Sequence, residues 1–349
     1  MFIQRPRLHG SRRIGERFRI RLIPCKRGLR KMSFSNISNV TNAEPFLEIC
    51  LVTYVMRSPS SFSTRSTIAA CVVNVALAVA GTFLNSFVLF IFWKSAKLRS
   101  KLSYFTIMLL SVIDLGVVVV GHPLFVLTGI NTILDTAKCL HQVLYTMAIY
   151  LFFGLSTWTL FIINIDRYFS IVHPISHRNY FTKRRFVITW IFFWFLAISH
   201  TVSRIYSTFL STFLSAIVMC ITISTSLCTY VSIFFVARNK MLKLNKVSDN
   251  MHQEVSRNLV AFLRQLKMAK TCVLVVSLCF LCYLPISVVA GIQIIWQYSD
   301  KTPFSVVNAS TWATTLATMN STLNCLIFFW GNNELRKEGL KIIKKYFHG

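Results

Sequence analysis

The chain has 349 residues, 54% of them apolar and 14% charged, with a mean hydropathy of +0.57. Water-soluble domains carry about 25% charged residues, so this composition excludes an ordinary soluble domain and points to a membrane protein. The 38 Lys and Arg against 11 Asp and Glu leave a formal charge of +27, but the basic residues sit before Met32 and in short gaps between apolar runs, which is topology information and needs no nucleic-acid partner.

Residues 1–31 form a strongly basic segment that lacks the apolar stretch of a signal peptide. Because Met32 follows it, the segment reads as a gene-model extension, with a basic amphipathic or targeting arm as the other reading. Residues 32–66 are expected to be an extracellular N-terminal segment. It carries two sequons, Asn36-Ile-Ser38 and Asn39-Val-Thr41, which makes Asn36 and Asn39 the glycosylation candidates.

A helix needs about 20 apolar residues to cross the hydrocarbon core of a bilayer. Seven runs qualify in chain order: Thr67 to Trp93, Leu102 to Leu127, Cys139 to Ile165, Phe186 to Val202, Ser207 to Ala237, Met268 to Trp296 and Ser305 to Trp330. The fifth is rich in Ser and Thr, whose hydroxyls can bond back to their own helix and so remain compatible with a span. The expected fold class is all-α: a seven-transmembrane helix bundle over residues 67–330. In residues 331–349, Leu335, Leu340, Ile343 and Phe347 share one side and lysines the other, which predicts a short amphipathic helix on the cytoplasmic membrane surface. The ten cysteines show no zinc spacing, and most lie in apolar runs as small hydrophobes, so no disulfide framework is expected.

With the first span starting outside, the segments facing the cytoplasm hold 21 Lys and Arg, against five on the outer side after Met32: Arg57, Arg65, Lys138, Arg204 and Lys301. The positive-inside rule then places the amino terminus outside and the carboxyl terminus in the cytoplasm.

Ionisable groups inside spans are costly enough to mark function. Only two carboxylates lie in the runs or at their edge, Asp114 in the second and Asp166 at the inner end of the third. Asp166-Arg167-Tyr168 closes the third span, with Pro174 seven residues beyond Arg167. Asn85 lies in the first span, Asp114 in Leu-Ser-Val-Ile-Asp, Trp190 in the fourth and Tyr230 near the inner end of the fifth. The sixth has Phe280-Leu-Cys-Tyr283-Leu-Pro285, and the seventh has Asn320-Ser-Thr-Leu-Asn324-Cys-Leu-Ile-Phe328. In this order and spacing the set resembles the rhodopsin-like (class A) G-protein-coupled receptors over all seven spans, and loosely the melanocortin, adenosine and cannabinoid group.

The resemblance implies a receptor, not an enzyme, with a heterotrimeric G protein and the lipid bilayer as partners. It implies an activation switch of Asp166, Arg167, Tyr168, Tyr230, Phe280, Tyr283, Pro285, Asn324 and Phe328. In the closed state Arg167 would pair with Asp166, and in the open state its long stem would reach Tyr230 and an inserted partner. Pro285 removes a backbone hydrogen bond, so the sixth helix can swing outward at low cost. Asp114, Ser156, Asn320 and Asn324 would supply one negative charge and several oxygens, a set suited to an allosteric sodium ion; no other cofactor is implied.

Several residues depart from the family pattern. Cys139 lies about a turn further out than the family's disulfide cysteine, and the short connection Ser203 to Tyr206 has no cysteine, so no second-loop disulfide is expected. Cys325 and Phe328 replace a Pro and a Tyr, and Gln265 occupies a site where a Glu often pairs with Arg167. The neutral bond of a Gln is weaker than a charge-assisted one, which predicts a weakly locked closed state and ligand-independent signalling.

Ile149 stands where amine receptors carry a carboxylate, Ala290 where adenosine receptors carry an Asn, and Thr315 and Thr318 where a retinal lysine would be. The remaining cavity residues are Gln142, Tyr145, Ile149, Tyr206, Tyr283, Gln293, Trp296 and Trp312. They predict a neutral or lipid-like small molecule, or a peptide, as the extracellular ligand. A seven-span transporter or channel is the alternative, but the chain shows no internal repeat. The eight His residues form no metal or catalytic cluster.

Overall fold

The computed structural model describes residues 46–50, 53–57, 61–244, 252–297 and 304–347. Asn36 and Asn39 lie outside the described residues, as does the whole 1–31 segment.

The described chain opens with an antiparallel hairpin that the sequence did not announce, β1 (Phe46–Cys50) and β2 (Thr53–Arg57), with Phe46 opposite Arg57 and Cys50 opposite Thr53. All further elements are helical. They are α1 (Ser61–Lys94), α2 (Ala96–Ser100), α3 (Leu102–Gly116), a π-helical turn (Val117–Gly121), α4 (His122–Ile133), α5 (Cys139–Val172), α6 (Pro174–Tyr180), α7 (Lys183–Tyr206), α8 (Thr208–Leu244), α9 (His252–Gln297), α10 (Phe304–Gly331) and α11 (Asn333–Phe347). The second span is thus one continuous rod, Leu102–Ile133, with the wide turn just before Pro123. Proline cannot donate the hydrogen bond that a regular helix needs there, and an i→i+5 turn accommodates the missing donor.

Among the described residues six rods are long and apolar enough to cross a membrane, the Leu102–Ile133 rod being one. α10 is not one of them, because Asn308, Asn320, Asn324 and a series of Thr dilute its hydropathy. It is nevertheless the seventh bundle helix, packed along α9 and α1, with Thr314, Thr315, Thr318, Asn320 and Asn324 buried between helices and Asn308 half-buried. α5 stands at the centre and packs on α3, α7, α8 and α9. The largest core cluster, with Phe92, Tyr104, Leu160, Val275, Cys279 and Phe328, joins α1, α3, α5, α9 and α10. The exposed apolar residues, such as Val72, Val79, Phe83, Phe195 and Leu281, face outward from the helices, where a bilayer makes their exposure favourable.

Polar contacts between helices supplement this packing. Trp190 Nε1 donates to Thr159 Oγ1 at 3.0 Å, joining α7 to α5, and Asn164 Nδ2 donates to Ser226 Oγ at 2.8 Å, joining α5 to α8. α11 is tied beneath the bundle by Leu335, which is fully buried, and by a 2.8 Å ion pair between Lys101 and Glu334.

Candidate functional site

The carboxyl-terminal end of α5 carries two buried charges. Arg167 Nη2 pairs with Asp166 Oδ2, and His177 Nε2 lies 2.8 Å from Asp166 Oδ1. His177 arrives there because α6 starts at Pro174, whose fixed φ suits the first helical position, immediately after the break at His173. Arg167 Nε has no hydrogen-bond partner. Tyr168 packs edge-on against Phe169 and His173. Tyr230 is 43% exposed on α8 and makes no hydrogen bond to Arg167. The Gln265 side chain lies outside the described residues.

One membrane layer further out, Asn324 Nδ2 of α10 donates to Asp114 Oδ2 of α3 at 3.2 Å. Asn85 Nδ2 donates to the carbonyls of Gly81 and Ser321, which ties α1 to α10. Around this contact Asp114 Oδ1, Ser156 Oγ, Asn320 Oδ1 and Asn324 Oδ1 are buried without a hydrogen-bond partner. An aspartate carboxyl with spare neutral oxygens is the donor set of a monovalent cation with its water, so these residues fit such an ion. Phe328 is buried in the core, Phe280 is half-buried, and Pro285 lies inside the continuous α9. The Tyr283 ring is 4.9 Å from that of Phe153 and closes the floor of the space above.

That space is a cavity of about 380 Å³ between α1, α4, α5, α7, α8, α9 and α10. Of the sequence-derived cavity residues, Gln142, Tyr145, Ile149, Tyr283 and Gln293 line it. Two do not. Tyr206 is 78% exposed at the end of α7, and Trp312 turns outward and donates from Nε1 to Ser66 Oγ at 2.9 Å. Both sit one helical face away from the cavity, a distinction that counting residues from a motif does not resolve. The Trp296 side chain lies outside the described residues.

The expected absence of a disulfide is corrected: Cys139 is disulfide-bonded. Its partner is none of the free cysteines Cys71, Cys220, Cys228, Cys272, Cys279, Cys282 and Cys325. The connection between α7 and α8 supplies no cysteine, so the bond does not run to the second outer loop.

Buried charges at the carboxyl-terminal end of the third span, a polar layer in its middle, a cavity toward its amino-terminal end and seven packed helices form one arrangement. The family model of the seven-transmembrane receptors of the rhodopsin family matches residues 84–328. The chain belongs to this family. It is therefore a G-protein-coupled receptor, a multi-pass membrane protein that transduces signals and is not an enzyme. Squid rhodopsin is similar in structure, with a TM-score of 0.67 and 18% identity over 83% of this chain and 87% of that one. No curated protein sequence matches the receptor significantly.

Two features of the receptor escaped the reading of its sequence. The cavity wall contains Arg204 and His200 of α7 and Ser215 of α8. Arg204 is one of the basic residues assigned to the outer side; its i,i+4 spacing from His200 is the local sign that both share a face. The second is a buried triad in which His122 Nδ1 lies 2.7 Å from Asn74 Oδ1 while Asn74 Nδ2 donates to Thr315 Oγ1 at 2.8 Å. It links α4, α1 and α10, and no motif contains it.

Proposed function

We propose that this receptor sits in the plasma membrane with its amino terminus outside and its carboxyl terminus in the cytoplasm. It takes an extracellular lipid-like small molecule or short peptide into the cavity above Tyr283. It activates a heterotrimeric G protein by outward movement of the inner half of α9. The observation that carries this reading is the Asp166–Arg167 pair, buried at the inner end of the central helix. A buried arginine whose counter-charge lies on its own helix can be released to a new partner without separating two helices.

The hinge role rests on Pro285, which has no N–H to donate to the Leu281 carbonyl and so leaves open the turn of α9 that contains Tyr283. A ligand pressing on Tyr283 would therefore bias the angle of the helix segment that carries Cys279 and Cys272 down to the G-protein face. Asp114, Ser156, Asn320 and Asn324 would hold a sodium ion that offsets the buried carboxylate and favours the closed bundle. Orientation rests on the distribution of Lys and Arg, and Asn36 and Asn39 would be glycosylated on the outer side.

The test is a ligand screen with a generic G-protein readout, repeated on Arg167→Ala and Asp114→Ala at matched surface expression. The first substitution should abolish coupling and the second should remove the response to sodium. Agonist responses that survive Arg167→Ala in full would contradict the proposal.

A further inference from the structure

Among the described residues, no Asp or Glu lines the outer cavity, but an arginine does. Arg204 Nε and Nη1 are buried and have no hydrogen-bond partner. The guanidinium carbon lies 4.1 Å from the centroid of the Tyr150 ring on α5. The ring face attracts the cation but offers no lone pair in the guanidinium plane, so the donors on Nε and Nη1 remain unmet.

Two ordinary explanations of an arginine at this end of α7 do not account for the geometry. A cation in the last turn of a helix is favoured by the macrodipole, and Arg204 is in that turn. That effect needs no burial of the guanidinium. An arginine that snorkels to lipid headgroups keeps its nitrogens exposed, whereas Nε and Nη1 here are enclosed. Two enclosed guanidinium nitrogens with unmet donors are costly unless an acceptor pairs with them.

We infer that the receptor's ligand is an amphiphilic anion whose acidic head group, a carboxylate or another oxyanion, pairs with Arg204. This rests on the outer cavity being the ligand site, as proposed above. The planar fork of an arginine matches two oxygens of such a group side by side. His200 lies one turn before Arg204 on the same helix face, with Nε2 held 2.9 Å from Ser215 Oγ, so the head group meets further polar atoms on the α7–α8 wall. From there the cavity runs past Ile149 and Phe153 to Tyr283, a wall for the apolar or aromatic body. The same features disfavour a cationic amine, which among the described residues would meet a like charge and no carboxylate.

The experiment measures binding to the purified full-length receptor in detergent by thermal shift, separately from signalling. The probes are a panel of medium-chain and aryl-alkyl monocarboxylic acids, the matching sulfonates and phosphate monoesters, and the neutral primary amides of the same acids. Acidic members are expected to raise the unfolding temperature of the wild type and of Arg204→Lys, while the amides do not. Arg204→Gln is expected to lose affinity for the acids by about 30-fold or more, the usual loss when one partner of a buried charge pair is removed. Comparing carboxylates, sulfonates and phosphates then identifies the head group.

The inference is overturned if amides stabilise as well as their acids, if Arg204→Gln binds the acids as wild type does, or if no acidic member stabilises the wild type. Nucleotide exchange on a G protein is read in parallel. Acids that bind through Arg204 without changing exchange in either direction would leave the anion site standing and count against the proposed function instead.

Discussion

Arg167 is paired with Asp166, its immediate neighbour in the chain, and neither side chain is more than 2% exposed. The pair therefore neutralises a buried charge without bridging to α9, the helix proposed to swing outward. Removing the carboxylate by Asp166→Asn leaves Arg167 buried beside a neutral amide and destabilises the closed arrangement. Basal nucleotide exchange should rise by about ten-fold, the change that ~1.4 kcal/mol produces in a conformational equilibrium. Exchange by membranes with matched receptor density checks this.

Asp114 shares its carboxylate with Asn324 but retains an unpaired oxygen among Ser156, Asn320 and Asn324. Replacing potassium by sodium at constant ionic strength should lower basal exchange of the wild type and leave Asp114→Ala unaffected. Ser156→Ala, which removes one neutral oxygen and no charge, should shift the sodium midpoint to higher concentration. Titration of exchange against sodium measures both.

Seven helices were legible in the sequence because a span needs a long apolar run, and such runs survive interruption by single Ser, Thr or Asn residues. The Asp166-Arg167 and Asp114 positions were legible for the converse reason, since charge inside a span is rare enough to be noticed. The Cys139 disulfide was not, because pairing of distant cysteines depends on where loops return rather than on local pattern. The sequence position of Arg204 marks it only as a charge in the last turn of a span; the packing of α7 against α5 is what turns its guanidinium inward. Tyr206 and Trp312 were misplaced for the same reason, as small errors of helix phase exchange the cavity face for the lipid face.

The Cys139 bond gives a prediction for stability. Cys139→Ser should lower the unfolding free energy by about 2–5 kcal/mol, the usual cost of losing a native disulfide. Dithiothreitol should lower the melting temperature of the wild type and have no effect on the variant, measured by thermal unfolding in detergent.

The triad of Asn74, His122 and Thr315 joins three helices across the outer half of the bundle. Asn74→Ala leaves the buried His122 ring without its acceptor and should destabilise the receptor by about 1–3 kcal/mol. A double-mutant cycle with His122→Ala should give a coupling of about 0.5–3 kcal/mol, because the loss of either residue already forfeits the contact.

The central claim is that this chain catalyses nucleotide exchange on a heterotrimeric G protein through Arg167. Its most direct test reconstitutes the purified receptor in lipid nanodiscs with purified G protein and follows GDP release without ligand, for wild type and Arg167→Ala at equal receptor density. The account predicts release above that of the G protein alone for the wild type, falling to the G-protein rate in Arg167→Ala. Equal release by the two receptors would contradict it.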